Sequence, residues 1–353
     1  MRALLDRFEL DGEIISVEPY GNGLINKTFL VKTLQKSYIF QFINASVFPD
    51  VEGLMNNISL VTKHLESKGI PTLHIVPTRD GKTYINVGDE FFRGYDFIEN
   101  SICYEKVPNL DMVRKAAEGF GRFHNGLADI DVSKIVDVIP DFHNSKKRYE
   151  SFCNIVRQNP AGRLAQCKAE VDFLLSRHED YSLLVDALAE GTIRPSVTHN
   201  DPKINNVAFD RTTGEVACVL DLDTVMGGTF LYDFGDAVRS LFTGDNEDSP
   251  DTSKLVVDLP IYEAYLDGYF QCMKDSINDK EIEFLPYSIL IIAEELSTRF
   301  LGDFLNGDKY FHVDYPTHNL VRARTQIALA KDIIRKMGEL QATTKRVVEK
   351  YGR

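Results

Sequence analysis

The spacing of apolar residues along the chain changes character once, near residue 100. Before that point short runs alternate apolar and polar positions and are rich in Val, Ile, Tyr and Phe: "EIISVEPY", "KTFLVKT", "SYIFQFIN", "KTYINV" and "FFRGYDFI". Gly, Asn or Asp breaks them apart, the pattern of half-buried β-strands bounded by turns. Only residues 51–68 interrupt them with helical spacing. From Pro108 onward the apolar positions recur at three and four residues, which predicts helices over 108–127, 145–158, 162–188, 261–274, 289–306 and 319–337. Two strand-like pieces, "VAFD" and "VACVLDLD", stand inside this region, after the very polar run "VTHNDPKINNV". The pattern predicts an α+β chain in two lobes. A small β-rich lobe spans 1–97, a larger and mostly helical lobe spans 98–353, and a ligand cleft is expected between them.

Composition narrows this picture mainly by exclusion. The 353 residues are 43% hydrophobic and 26% charged, an ordinary globular balance, and the formal charge of −13 withholds the basic face that a nucleic-acid backbone requires. The opening "MRALLDRFELDGE" meets charges too soon for a secretory signal, and no segment stays apolar for the roughly 18 residues of a membrane span. Five cysteines, at 103, 153, 167, 218 and 272, are odd in number and lack CxxC spacing. A reduced, cytoplasmic protein without a zinc cluster is expected, with no protein partner implied.

The candidate chemistry lies in the polar run. His199, Asp201 and Asn206 form HxDxxxxN, and Asp221 follows directly after the apolar "VACVL". Phosphoryl transfer from ATP needs a carboxylate to orient and deprotonate the attacking hydroxyl, and oxygen ligands to hold Mg2+ on the phosphates. Asp201 suits the first task; Asn206 and Asp221 suit the second. A hairpin after the loop brings Asp221 back beside it, and strand alternation places Asp223 on the same face as an added or supporting ligand. Lys203 supplies a cation for the transferring phosphoryl group. His199 reads as a packed, hydrogen-bonded support. An Asn- and Asp-rich turn between strands gives similar letters without chemistry.

Together "THNDPKINNV" and "VLDLD" resemble the catalytic and metal-binding segments of the aminoglycoside phosphotransferase and choline kinase group, which has a bilobal protein-kinase-like fold. Further stretches, "EPYGNGLINKTFLV", "FPD", "DFGD", "FLGDFLNGDKYF" and "HNLVRARTQI", are similar to the members of that group that act on N-acetylhexosamines. The resemblance implies ATP- and Mg2+-dependent phosphorylation of a sugar 1-hydroxyl, with N-acetylglucosamine or N-acetylgalactosamine as acceptor. Choline, homoserine or an aminoglycoside is the alternative acceptor, and a non-catalytic ATP-binding protein is a further one.

At the nucleotide end, Gly21 and Gly23 permit a tight turn that can approach phosphates, and Asn26 can bond across it. A Gly-Asn hairpin turn reads the same way. The group usually carries a lysine on its third strand; this chain has Gln41 there, leaving Lys27 or Lys32 as candidate cations, and residues 51–68 lack the matching mid-helix Glu. "YDFIEN" resembles the family hinge, so Phe97, Ile98 and Glu99 are expected at the adenine edge, although a strand running into a loop explains the same letters. At the acceptor end, Glu295, Arg299, Asp303 and Asn306 form one polar stripe on an otherwise apolar helix, either a solvent-facing ion-pair stripe or a cleft wall. The resemblance favours Arg299 and Tyr310 as sugar contacts, with Asp303 beside them. Asp233, ahead of a helical run, is expected to cap it.

Overall fold

The computed structural model describes residues 1–21, 25–244 and 247–353. After a short helix α1 (Arg2–Leu5) come β1 (Ile14–Pro19), β2 (Lys27–Thr33) and β3 (Ser37–Ile43), then α2 (Val51–Ser67), β4 (Ile85–Val87) and β5 (Glu90–Asp96). The strands form one antiparallel sheet in the order β1-β2-β3-β5-β4. One face closes over Leu5, Phe8, Val31, Phe40 and Phe92. On the other face the register sets Thr28, Gln41 and Arg93 in one cross-strand row, because partners in adjacent strands share a face. Lys27, paired with Phe42, stands on the opposite side from that row.

Helix α2 starts at Asp50, whose side chain accepts the Gly53 N–H, and its Leu54, Ile58 and Val61 enter the main hydrophobic core together with residues of the helical lobe. The two lobes therefore share apolar packing through α2. A short strand β6 (Ser101–Ile102) leads out of the N-terminal lobe into α3 (Leu110–Leu127), α4 (Ser145–Gln158), α5 (Lys168–Ser176) and α6 (Asp180–Ala189). Next come β7 (Ser196–Thr198), β8 (Val207–Asp210), β9 (Val216–Val219), β10 (Met226–Gly228) and α7 (Phe230–Thr243). The chain ends with α8 (Leu259–Met273), α9 (Asp279–Asn306) and α10 (His318–Lys350).

Two small sheets position the polar loops. β6 pairs with β8, which forms a hairpin with β9, and β7 pairs with β10. The 199–206 loop thus leaves one sheet and enters the other, and the 220–225 loop returns alongside it. Close helix packing fixes α7 below: a Cβ on Gly235 would lie 2.5 Å from the Ser288 carbonyl oxygen of α9, a separation that only glycine permits.

Several predicted boundaries move. The 162–188 helix is two helices, α5 and α6, because the chain turns at Arg177, whose guanidinium reaches both Asp180 and Glu294. Helix α9 starts at an Asn278–Glu281 capping box and carries Pro286 inside it, where a proline argues for a break. Helix α10 continues past Gly338 because Leu340, Val347 and Val348 remain buried. β9 stops at Val219, so Asp221 and Asp223 lie on a short 3-10 turn and strand alternation does not apply to them. Among the described residues no helix is long and apolar enough to cross a membrane.

Candidate active site

Asp201 stands at the head of the 199–206 loop with its carboxylate held from two sides. Lys203 Nζ lies 3.0 Å from Oδ1, and the Asn206 amide donates to Oδ2 at 3.1 Å and to the Asp201 main-chain oxygen at 2.8 Å. A 3-10 turn over Ile204–Asn206 delivers Asn206 to this position, and the Leu220 N–H donates to its carbonyl at 2.8 Å, docking the second loop onto the first. Burial opposes the charge on Lys203, but Asp201 and Asp236 outweigh it and raise the ammonium's pKa above its usual value. The three residues that the sequence assigned to base, cation and ligand are therefore in mutual contact.

His199 supports the loop from below. Its Nε2–H donates to the Leu220 carbonyl at 2.7 Å while Nδ1 accepts the Asp201 N–H at 3.3 Å, so both ring nitrogens are engaged in the neutral form. The rings of Phe120 and Phe123 pack against it edge-on. Asp233 corrects the capping expectation. Thr229 caps α7, whereas Asp233 is fully buried in the first turn and accepts the N–H groups of His199 (2.6 Å) and Asn200 (2.7 Å) and the His124 ring at 2.7 Å. Burial alone would raise its carboxyl; the bond and charge of His124, with the N–H that His199 donates, hold it below the usual carboxylate range. Asn200 completes the turn in the left-handed region, φ 65°, with its amide on the Thr224 carbonyl.

Asp221 is also left-handed, φ 57°, which swings its side chain out of the strand direction at the end of β9. Burial, then the nearby Asp223 and Asp201, push its carboxyl up to about 7, against the pull of Arg93 and Lys203. A divalent cation would offset this excess of negative charge, although among the described residues no three His, Cys, Asp or Glu side chains are grouped closely enough to hold a metal ion by themselves.

Asp223 has a different setting. It is buried, with Arg93 Nη2 at 2.6 Å from Oδ1 and the Asn26 amide donating to Oδ2 at 2.7 Å. Arg93 also donates twice to Gln41 Oε1, at 3.1 and 2.8 Å, and Gln41 in turn donates to the Thr28 hydroxyl. Nη1 of Arg93 reaches Met55 Sδ of α2 at 3.8 Å. The structure thus turns Asp223 toward the β-rich lobe, where strand alternation predicts it beside Asp221. It also engages Gln41 with Arg93, so the cation missing from β3 stands one strand over, on β5. Neither expected lysine takes that place: Lys27 faces away, and Lys32 is exposed farther along β2.

The remaining nucleotide-end residues are dispersed more widely. Gly21 has φ +71° as a tight turn requires, while Gly23 lies outside the described residues. Phe97 gives its N–H to the Ser37 carbonyl at 3.1 Å and packs edge-on against Tyr20, which leaves Ile98 and Glu99 next along the hinge.

On the acceptor side a cavity of about 160 Å3 is lined by Arg148 and Phe152 of α4, by Thr298, Arg299 and Asp303 of α9, and by Tyr310 and Phe311. The α9 stripe is a wall and not a solvent-facing ion-pair stripe, since Glu295 and Asp303 are buried. The Arg299 guanidinium sits over the rings of Phe142 and Phe311, each at 5.6 Å. Asp303 corrects its expected role. Its carboxylate accepts the N–H groups of Lys309, Tyr310 and Phe311 and the Asn319 amide, all at 2.9 Å, so its four acceptor positions are filled by the loop that carries Tyr310 and by α10. Tyr310 itself is 71% exposed at the cavity rim.

A β-rich lobe joined to a helical lobe, with an Asp–Lys–Asn loop and a second carboxylate loop docked in the cleft, defines a phosphotransferase of the protein-kinase-like fold. Residues 16–269 match the family model described as the phosphotransferase enzyme family, APH, and the chain belongs to that family. Among solved structures it is similar to an aminoglycoside phosphotransferase from Alicyclobacillus acidocaldarius, at 12% identity and a TM-score of 0.65 over 98% of this chain and 96% of that one. It is also similar to a choline kinase from Cryptosporidium parvum, at 14% identity and a TM-score of 0.57 over 91% and 90% of the two chains. At such identities the likeness is one of fold. A homoserine kinase from Zymomonas mobilis is 23% identical over 125 residues, 35% of this chain and 38% of that kinase, so the match spans little more than a third of that relative.

Proposed function

We propose that the protein is an ATP- and Mg2+-dependent kinase that phosphorylates the 1-hydroxyl of N-acetylhexosamines. The observation that carries this reading is the acceptor cavity, whose polar lining of Arg148, Thr298, Arg299 and Tyr310 presents hydrogen-bonding groups to a polyhydroxylated ring. A quaternary ammonium would find the rings of Phe152, Tyr310 and Phe311 there but would meet the like charges of Arg148 and Arg299.

In this reading Asp201 orients the acceptor hydroxyl and takes its proton as the new phosphorus–oxygen bond forms and the bond from the γ-phosphorus to the bridging oxygen breaks to release ADP, its carboxylate aimed by Asn206 and Lys203. Lys203 stabilises charge on the transferring group. Asn206 and Asp221 would hold magnesium, which neutralises the nucleotide phosphates. Asp223 fixes the metal loop through Arg93 and Asn26, the Gly21 turn covers the phosphates, and Ile98 with Glu99 meets the adenine edge. Arg299 and Tyr310 receive the sugar.

A second reading has one observation in its favour. Arg148 and Arg299 are close enough for each to oppose the other's charge, a pairing that also suits the carboxylate of an amino-acid acceptor such as homoserine. An acceptor panel of N-acetylglucosamine, N-acetylgalactosamine, homoserine, choline and kanamycin with ATP and Mg2+ separates the readings. Turnover on the hexosamines with phosphate at the 1-position is expected; turnover on homoserine alone would transfer the assignment, and ATP use by none of them would leave only a binding role.

A further inference from the structure

Lys203 carries its ammonium on a long, flexible stem, yet stabilising a transferring phosphoryl group requires that charge in a fixed place. Its side chain is 48% exposed, so packing does not hold it. In the catalytic loop it is bonded to Asp201, at 3.0 Å. Asp201 is also the group that takes up the acceptor's proton, and a carboxylate that becomes neutral loosens its hold on a cation. A second anion has to keep the ammonium in place at that moment.

Helix α7 supplies one. Its first turn lies under the loop, where Asp233 accepts the N–H groups of His199 and Asn200. Asp236 follows three residues later on the same face of the helix. It is buried, and Arg239 fixes it: Nε donates to Oδ1 at 2.7 Å, which leaves the carboxylate capacity for further donors. Arg239 is buried as well, and its Nη1 donates to Glu247 at 3.3 Å and to Gln326 of α10 at 3.4 Å. A row of contacts thus runs from α10 through Arg239 to Asp236, at the edge of the catalytic loop.

An ion pair that merely ties α7 to α10 would account for Arg239 and Asp236 without any part in catalysis. The charges around Lys203 favour more. Burial opposes its charge, Asp201 and then Asp236 favour it, and Arg239 opposes it less than Asp236 favours it. The pair is therefore not neutral as Lys203 meets it; it presents net negative charge. The effect is mutual, since burial raises the Asp236 carboxyl while Arg239, then Lys203, hold it below the usual range.

We propose that Asp236, gripped by Arg239, is a positioning residue that keeps Lys203 in place while Asp201 accepts the proton of the acceptor hydroxyl. The proposal rests on the kinase reading above, with Asp201 as base, and holds for any of its acceptors.

Steady-state kinetics of the full-length enzyme, with the best acceptor of the panel, test it. Asp236→Asn should lower kcat roughly 10- to 100-fold and leave the KM of ATP and of the acceptor within about twofold, because only the placement of Lys203 during transfer is lost. Lys203→Met should lower kcat at least as far. The double variant Asp236→Asn/Lys203→Met should then be no slower than Lys203→Met alone, since Asp236 acts through the ammonium. Asp236→Asn leaves the buried Arg239 without its anion; Asp236→Asn/Arg239→Gln removes both charges and keeps the test valid where the single variant does not fold. It should show the same loss of kcat, again absent from a Lys203→Met background. Losses that multiply between positions 236 and 203, a kcat within about twofold of wild type, or a loss confined to the acceptor KM would each overturn the positioning role. A wild type that phosphorylates none of the acceptors overturns the kinase reading instead.

Discussion

On the nucleotide side of the cleft, Asn26, Gln41, Arg93 and Asp223 engage one another across the lobes; on the acceptor side, Arg148 and Arg299 line one cavity. In the first group the two opposite charges, Arg93 and Asp223, pair at 2.6 Å. The second sets the like charges of Arg148 and Arg299 together. The difference separates two tasks that a kinase cleft must perform. A metal-nucleotide site has to be preorganised, because the charge it meets is the same in every turnover. A pocket that selects its acceptor gains discrimination from leaving its own groups unsatisfied until the right hydroxyls are present, because the wrong ligand leaves them bare.

Asp201 stands between the two regions, and its removal should have the largest effect. Asp201→Asn keeps the shape and the contact with Asn206 but has no basic oxygen to receive the proton, so kcat should fall by about three orders of magnitude or more while both KM values stay within about twofold. Steady-state kinetics decide the point, and near-full turnover would remove Asp201 as the base. Arg93→Met probes the completed side. It strands the buried Asp223 carboxylate, so urea denaturation should show a loss of about 3–5 kcal/mol, and the double variant Arg93→Met/Asp223→Asn should recover part of it. Equal losses in the single and double variants would mean that the ion pair is not what holds the loops. Arg299→Ala probes the open side. The guanidinium packs over Phe142 and Phe311 beside a second arginine, so the expected result is a sugar KM raised roughly 10- to 100-fold with stability changed by less than about 1 kcal/mol. A stability loss as large as that of Arg93→Met would erase the contrast between the two regions.

The same contrast explains what the sequence made legible. Asp201, Lys203 and Asn206 interact within six residues, so their spacing alone places them together, and the β8–β9 hairpin that returns Asp221 is short enough to read from its letters. Arg93 is bonded to a residue 130 positions away. Its only local sign is a charged residue within the apolar strand "FFRGYDFI", and such a residue needs a buried anion whose identity no spacing reveals. Asp233 was misread for a related reason: helix capping is a local explanation, and its partners His199 and Asn200 lie more than thirty positions upstream. The α9 stripe was visible as periodicity, but whether it faces solvent or a cavity depends on α4 packing against it, which tertiary structure alone decides. Asp303 shows the limit of the stripe, since four donors from the following loop and α10 occupy a carboxylate that periodicity places beside Arg299.

Asp221 offers the finest test, because it lies near the Arg93–Asp223 pair and is pushed up by burial and by Asp223 and Asp201. Its folded pKa of about 7 lies above the ordinary 3.8, so between those values the folded protein retains a proton that the unfolded chain releases. Stability contributed at this site therefore falls as pH rises through that window and levels off above about 7. Asp221→Asn carries no charge at any pH. Without nucleotide or metal ion, the variant should match the wild type near pH 4 and exceed it above pH 7 by on the order of 1 kcal/mol in urea denaturation. Adding Mg2+ with ATP should reverse the order, because only the wild type can use the ion's binding energy to stabilise the folded state. A variant that shows no advantage at alkaline pH would mean that Lys203 and Arg93 already balance the charge of Asp221.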